Sequence, residues 1–300
     1  MKINTTRHLA FILGLKEQKL LELATKYKDY YHPFTKSNSN KKRQIEPTFG
    51  KLRVVQSRIK TRILDKCELP EGILGGEKGK SIKENANKHL NKSYVCTIDL
   101  KNYFPSTNYK TVFSIFREHC ECSTEVAGLL TRLTTYNRHV PQGISTSSKL
   151  VNLAILPLYK QLKSYCSRYQ IELSAWGDDL TFSGEDVKSR IPSLIAIITK
   201  HGYKIRRKKV KVMPSNTRQE VTGITVNKVL SIPKDRLNKY KEILIESASN
   251  PDLVNKAKGQ LSYVKFINKS QASKLEKIKK FSLYKADKYQ KPPLHKDVLS

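Results

Sequence analysis

Acidic side chains are scarce in this sequence. Asp and Glu number 26 in 300 residues against 57 Lys and Arg, a formal charge of +31. A compact chain so unbalanced repels itself unless polyanions screen it, so the expected partner is nucleic acid. Such binding would weaken steeply with salt as phosphate contacts release counterions. A structural RNA-binding protein would carry the same charge, so charge alone does not identify an enzyme. Long apolar runs are missing too: none approaches the roughly 20 residues of a bilayer-spanning helix. No membrane association is expected. Residues 1–15 hold basic side chains and short apolar stretches but no small-residue cleavage site. The five cysteines (Cys67, Cys96, Cys120, Cys122, Cys166) are odd in number and lack zinc-like pairing. His119-Cys120-Glu121-Cys122 contains ligand types, but the reading adopted is reduced thiols on or under a helix, and the expected compartment is the cytoplasm. Gly72, Gly75, Gly76 and Gly79 are not followed by Lys-Ser/Thr at Walker-loop spacing, which leaves an ordinary loop.

What is present is an alternating α/β pattern. A helix is predicted over 13–31 and a polar connector over 35–40. Residues 41–64 read as a strand, a turn and a helix carrying Arg58, Lys60 and Arg62 toward solvent. The β-branched, apolar run 94–100 predicts a buried strand ending at Asp99. A helix over 109–118 would bury Val112, Phe113 and Phe116. After Gln142-Gly143, the Ser/Thr run 145–148 caps a helix over 150–165. Residues 171–183 read as strand, turn and strand with Gly177-Asp178-Asp179 at the turn. A helix over 191–201 and a basic strand over 203–212 follow, and the chain from 234 is helical and Lys-rich. There is no internal repeat.

The chemistry concentrates in three aspartates. Asp99 ends a buried strand, and Asp178 and Asp179 stand at a hairpin turn 79 positions later. Carboxylates brought within 4 Å repel by about 4 kcal/mol at an effective dielectric near 20. Divalent cations relieve that repulsion, and Mg²⁺ prefers carboxylate and phosphate oxygens. A pair of such ions can activate an attacking hydroxyl and stabilise departing pyrophosphate. Gly-Asp-Asp is also an ordinary turn sequence, so its neighbours decide the reading.

Those neighbours resemble the reverse transcriptases, and within them the bacterial retron reverse transcriptases, over roughly 41–270. Ile98-Asp99-Leu100-Lys101-Asn102-Tyr103-Phe104-Pro105-Ser106 is similar to the first palm motif. The match implies Asp99 and Leu100, with Asp178 and Asp179, as holders of two Mg²⁺ ions, and Phe104 as the gate against a ribose 2′-hydroxyl. Pro141-Gln142-Gly143 resembles the segment that contacts the incoming nucleotide. Trp176-Gly177-Asp178-Asp179 stands where most relatives have Tyr-Ala-Asp-Asp. Arg206-Arg207-Lys208-Lys209 resembles the next palm motif, with Lys209 near the triphosphate, and Arg43, beside Lys41 and Lys42, matches a phosphate-holding position of the fingers. Asn85-Ala86-Asn87-Lys88-His89 and Val221-Thr222-Gly223 fit two signatures of the retron branch. By that match Asn85, His89, Trp176, Val221, Thr222 and Gly223 are RNA or primer contacts, and the Lys-rich stretch 274–289 is read as a further RNA contact. Departures are Trp176 for Tyr, Gly177 for Ala, and Ser145 and Ser148 where many relatives have Pro.

The resemblance implies an α/β (α+β) right-hand polymerase. The expected parts are an N-terminal extension (1–40), fingers (41–95), a palm with a finger contribution (96–230), and a helical thumb with basic tail (231–300). It implies synthesis of DNA from deoxynucleoside triphosphates on a cognate structured noncoding RNA of msr-msd type. Priming from an internal 2′-hydroxyl would give branched msDNA, in an antiphage system with a separate effector protein. The alternatives are another bacterial reverse transcriptase, of intron or standalone defence type, and a catalytically inactive RNA-binding relative. The length leaves no room for the maturation and endonuclease segments expected of an intron protein.

Overall fold

The computed structural model describes residues 2–38 and 41–278, which fall into two compact units. Among the described residues the first comprises those up to 81 and 93–212, the second 82–92 and 213–278.

The first unit opens with helix Thr6–Leu13, capped by the Thr5 hydroxyl, which accepts from the His8 N–H. Gly14 stops it at φ 64, a left-handed conformation that glycine enters without steric penalty. Helix Glu17–Thr25 and the 3₁₀ turn Tyr27–Tyr30 follow. The helix expected over 13–31 is therefore two shorter helices and a turn, displaced toward the N-terminus by Gly14. The expected connector over 35–40 is instead mostly strand: β1 (Phe34–Asn38) pairs antiparallel with β2 (Lys41–Ile45). Its backbone groups are satisfied across the ladder, and Thr35 donates to Gln44 at 2.9 Å, so pairing outweighs the polar composition. Helix Gly50–Arg62 comes next. Arg58 Nη1 donates to the Leu13 carbonyl at 2.7 Å and Arg62 Nη1 to that of Ile12 at 2.6 Å, so both cap the first helix rather than simply facing solvent.

The central sheet has strand order β4–β5–β3–β6, formed by β3 (Tyr94–Asp99), β4 (Glu172–Trp176), β5 (Asp179–Gly184) and β6 (Lys211–Pro214). Alternation along β3 and β5 sends Cys96, Ile98, Leu180 and Phe182 to one face, where they join the main hydrophobic core. Helices Leu156–Arg168 and Val187–Lys200 pack on β4 and on β3 and β5 respectively. The other face carries the cross-strand pairs Thr97–Thr181 and, at its end, Asp99–Asp179. Helix Tyr109–Ser114 runs on into a π turn, Ile115–His119, burying Val112 and Phe116 while Phe113 is half-buried. The helix expected over 150–165 is two, Ser147–Ala154 and Leu156–Arg168, because Pro157 cannot donate to the preceding turn. The glycine-rich loop lies along β4: Ala175 N–H donates to Gly72 O, and Leu74 N–H to Ala175 O. A side chain at Gly75 would meet the Gly177 nitrogen at 2.3 Å, so this approach requires glycine.

In the second unit, helix Ile82–Lys88 packs on the hairpin of β7 (Glu220–Val221) and β8 (Ile224–Thr225). Thr222 and Gly223 both have positive φ, 47 and 82, the backbone a two-residue hairpin turn of right-handed twist needs. Helices Lys234–Glu246 and Val254–Ile267 follow, with further helix over 269–278. The Lys-rich stretch read as an RNA contact extends beyond residue 278, outside the described residues. Among the described residues no helix is long and apolar enough to cross a membrane.

Candidate active site

β3 and β5 bring Asp99 and Asp179 directly opposite each other, and the two-residue turn Gly177-Asp178 carries the third aspartate. Gly177, at φ 60, makes that turn possible. The Asp178 carbonyl accepts from Leu100 N–H at 2.8 Å, tying the turn to the end of β3. Asn102 then adopts a left-handed φ of 54 and turns the chain into helix Tyr103–Ser106. Tyr103 is buried, its hydroxyl donating to Val151 O at 2.9 Å, and Phe104 stands edge-on to its ring.

Phe104 and Asp178 border a cleft of about 620 Å³ within the first unit, which Arg43, Gln142, Gly143 and Arg206 also line. β2 is held to the Gln142 loop by Glu46 N–H donating to Gln142 O at 2.7 Å. Gly143, at φ 111, lies so close to β2 that a Cβ there would come within 3.1 Å of Ile45 Cγ2. Trp176 ends β4, half-buried and paired with Asp179.

The run 206–209 is not the expected strand. Arg206 N–H donates to Asp99 O at 3.0 Å, and Arg207–Lys209 then forms a 3₁₀ turn. In that geometry side chains three apart eclipse, whereas in a strand they would point to opposite faces. Arg206 and Lys209 consequently converge on one carboxylate: Arg206 Nη1 lies 3.2 Å from Asp99 Oδ1, and Lys209 Nζ 2.5 Å from Oδ2. Arg207 and Lys208 are exposed.

A metal fits this surrounding. Asp99 is buried, and its Oδ1 has no hydrogen bond although Arg206 faces it as an ion pair. A buried carboxylate that recruits two cations demands positive charge, and carboxylate oxygens suit a hard cation. Among the described residues no three His, Cys, Asp or Glu side chains gather into a metal cage by themselves.

The two signature segments meet in the second unit. Asn85 Nδ2 lies 3.5 Å from Thr222 Oγ1, and Arg236 Nη1 donates to Gly223 O at 2.8 Å. Asn85, His89 and Val221 are buried, so any RNA contact of these segments goes through the surface of the hairpin rather than through those side chains. Burial, with Lys88 and Lys92 nearby, depresses the His89 imidazole to about 3.

Two cleft residues escaped the sequence reading. Glu46, buried, takes His139 Nε2 at 2.9 Å. They are 93 positions apart, and no spacing signals the pair. Arg206 was visible only as part of a basic run.

The profile of the family described as reverse transcriptase (RNA-dependent DNA polymerase) matches residues 34–226. The chain belongs to this family. It is a reverse transcriptase of retron type, 29% identical over 253 residues to the retron Mx65 reverse transcriptase of Myxococcus xanthus. That match covers 77% of this chain and 59% of the relative. It is 27% identical to the retron Ec86 reverse transcriptase of Escherichia coli, covering 87% of this chain and 82% of that one. The chain thus spans about three fifths of the first relative's length. Two solved structures share the fold. One is telomerase from Candida albicans with a telomeric RNA fragment (TM-score 0.50, 9% identity, 90% of this chain and 65% of that chain). The other is a foamy viral protease–reverse transcriptase with double-stranded DNA (0.51, 16%, 85% and 44%). Residues 34–226 of this reverse transcriptase are therefore an RNA-directed DNA polymerase domain, a nucleotidyltransferase, in the reverse transcriptase fold.

Proposed function

We propose that this chain extends a DNA strand on a cognate structured noncoding RNA of msr-msd type, primed from an internal 2′-hydroxyl of that RNA, to give branched msDNA. The reading rests above all on the Asp99–Asp179 pair, with Asp178 on the adjoining turn, at the edge of a cleft lined by Phe104, Gln142 and Arg43. Asp99, Asp178, Asp179 and the backbone of Leu100 would hold two Mg²⁺ ions. When bound, such ions lower the pKa of an attacking hydroxyl and neutralise charge on leaving pyrophosphate.

The side chains have separable tasks. Arg43 offers its guanidinium to triphosphate oxygens. Lys209, with Arg206, keeps the Asp99 carboxylate neutralised until substrate arrives and then turns toward phosphate. Phe104 fills the space a ribose 2′-hydroxyl would need, and Gln142 and Gly143 support the nascent base pair. Trp176 offers the primer strand a broad ring without a hydroxyl. The hairpin carrying Thr222-Gly223, which Asn85 touches at Thr222, presents a surface to the RNA. We read 1–40 as an N-terminal extension, 41–95 as fingers, 96–230 as palm with a finger contribution, and 231–300 as thumb and basic tail. In the cytoplasm the product would serve an antiphage system with a separate effector.

Sequencing the nucleic acid that co-purifies with the protein tests this reading. A covalent RNA–DNA species branched at an internal 2′-oxygen is expected. RNA and DNA recovered only as separate molecules would remove the retron product and leave the polymerase.

A further inference from the structure

Cys67 and Cys120 are 53 residues apart in sequence, yet their sulfurs lie 3.4 Å apart. Cys67 follows the 3₁₀ turn Leu64–Lys66, and Cys120 closes the π turn Ile115–His119. Buried neighbours on both sides, Ile63 and Leu64 on one and Ile115 and Phe116 on the other, fix the two segments. A disulfide needs about 2.05 Å between sulfurs, so each would move by only about 0.7 Å.

The other cysteines are placed differently. Cys96 and Cys166 are fully buried, and burial pushes both thiols up to about 12. Cys122 is buried with its thiol turned to the Cys120 carbonyl at 3.6 Å. Cys67 is half-buried and borders, with Lys66, His119 and Glu121, a cavity of about 80 Å³. A water molecule's share of liquid is about 30 Å³, so a molecule of a few atoms can enter. The hydrogen bond with the Cys120 thiol holds the Cys67 thiol below its ordinary value, while that bond and burial raise that of Cys120, so Cys67 is the more acidic and the more exposed of the two.

We propose that Cys67 and Cys120 are a peroxide-sensitive thiol pair, Cys67 the attacking sulfur and Cys120 the resolving one. The Cys67 thiol gives its proton to solvent, its sulfur attacks one oxygen of hydrogen peroxide, the O–O bond breaks, and the departing hydroxide takes up a proton to leave as water, giving the sulfenic acid. The Cys120 sulfur then attacks the Cys67 sulfur, its proton passes to the departing oxygen, and water leaves as the S–S bond forms. In sum two thiols are oxidised, one peroxide is reduced, and two waters are released. The bond would pin the segment after helix Gly50–Arg62 to the end of the π turn.

The test treats the full chain with hydrogen peroxide, blocks remaining thiols with iodoacetamide, and maps peptides by mass spectrometry without reductant. The expected product is a Cys67–Cys120 peptide pair lacking two hydrogens, with alkylation lost at both and restored by dithiothreitol. In Cys120→Ser, dimedone should label Cys67; in Cys67→Ser, Cys120 should stay unlabelled. Should a variant fail to fold, the wild-type map decides. Linkage through Cys122 or Cys166, or both thiols still alkylated after peroxide, would overturn the proposal. The readout is independent of polymerase activity.

Discussion

Lys209 Nζ lies 2.5 Å from Asp99 Oδ2, so the carboxylate proposed to hold metal is held by an ammonium group. The two roles compete, since Asp99 cannot keep a cationic side chain at that oxygen and a metal ion as well. Replacing Lys209 by Met should weaken triphosphate binding and lower kcat/KM for deoxynucleotides by about 10- to 100-fold, the range of one lost hydrogen bond to a charged group. Single-nucleotide incorporation kinetics would measure it. Unchanged kcat/KM would mean that Lys209 serves the aspartate alone.

Phe104 borders the cleft beside Asn102 and Asp178, so shortening it should open room for a 2′-hydroxyl. Phe104→Ala is expected to raise the ratio of ribonucleotide to deoxynucleotide incorporation by about tenfold or more, since discrimination against one added group rests on filled space. Competing single-nucleotide extensions would show it. An unchanged ratio would assign Phe104 to the core.

Gly177 sits at φ 60 with nothing within 4 Å of a Cβ placed there, so steric room is ample and backbone conformation is the constraint. Gly177→Ala should cost about 1 kcal/mol through left-handed strain. Thermal unfolding would register a lower Tm. A higher Tm would mean that the turn relaxes without glycine.

His89 stays neutral in the fold down to about pH 3, while the unfolded chain binds its proton near 6.5. Below 6.5 the unfolded state therefore holds more protons, and His89 costs stability as pH falls, by at most about 1.4 kcal/mol per pH unit. Above 6.5 this contribution is constant. His89→Gln removes it, so the stability advantage of the wild type over the variant should shrink between pH 7 and pH 5 in denaturant melts. A constant difference would place the His89 proton elsewhere.

Much of the site was legible in the sequence because it lies on strands whose side-chain period is fixed. The run ending at Asp99 and the two segments flanking Gly177-Asp178 could pair in one register that kept Ile98 and Leu180 in the core, and that register sets Asp99 against Asp179. Elements governed by a single residue or a distant partner were harder. Gly14 divided an apparently continuous helix, and β1 owes its existence to β2 more than to its own composition. Four consecutive basic residues favour no backbone shape, so only the tie from Arg206 N–H to Asp99 O reveals the turn that aims Arg206 and Lys209 together. Glu46 and His139 come from segments joined only by tertiary packing.

The most direct test of the central claim is primer extension on an RNA template with Mg²⁺, comparing wild type with Asp178→Asn. The substitution keeps shape and removes charge. Wild-type protein should add deoxynucleotides, and the variant should lose incorporation by about three orders of magnitude while unfolding at a similar temperature. Equal incorporation by the two proteins would contradict the assignment of Asp99, Asp178 and Asp179 as the catalytic centre.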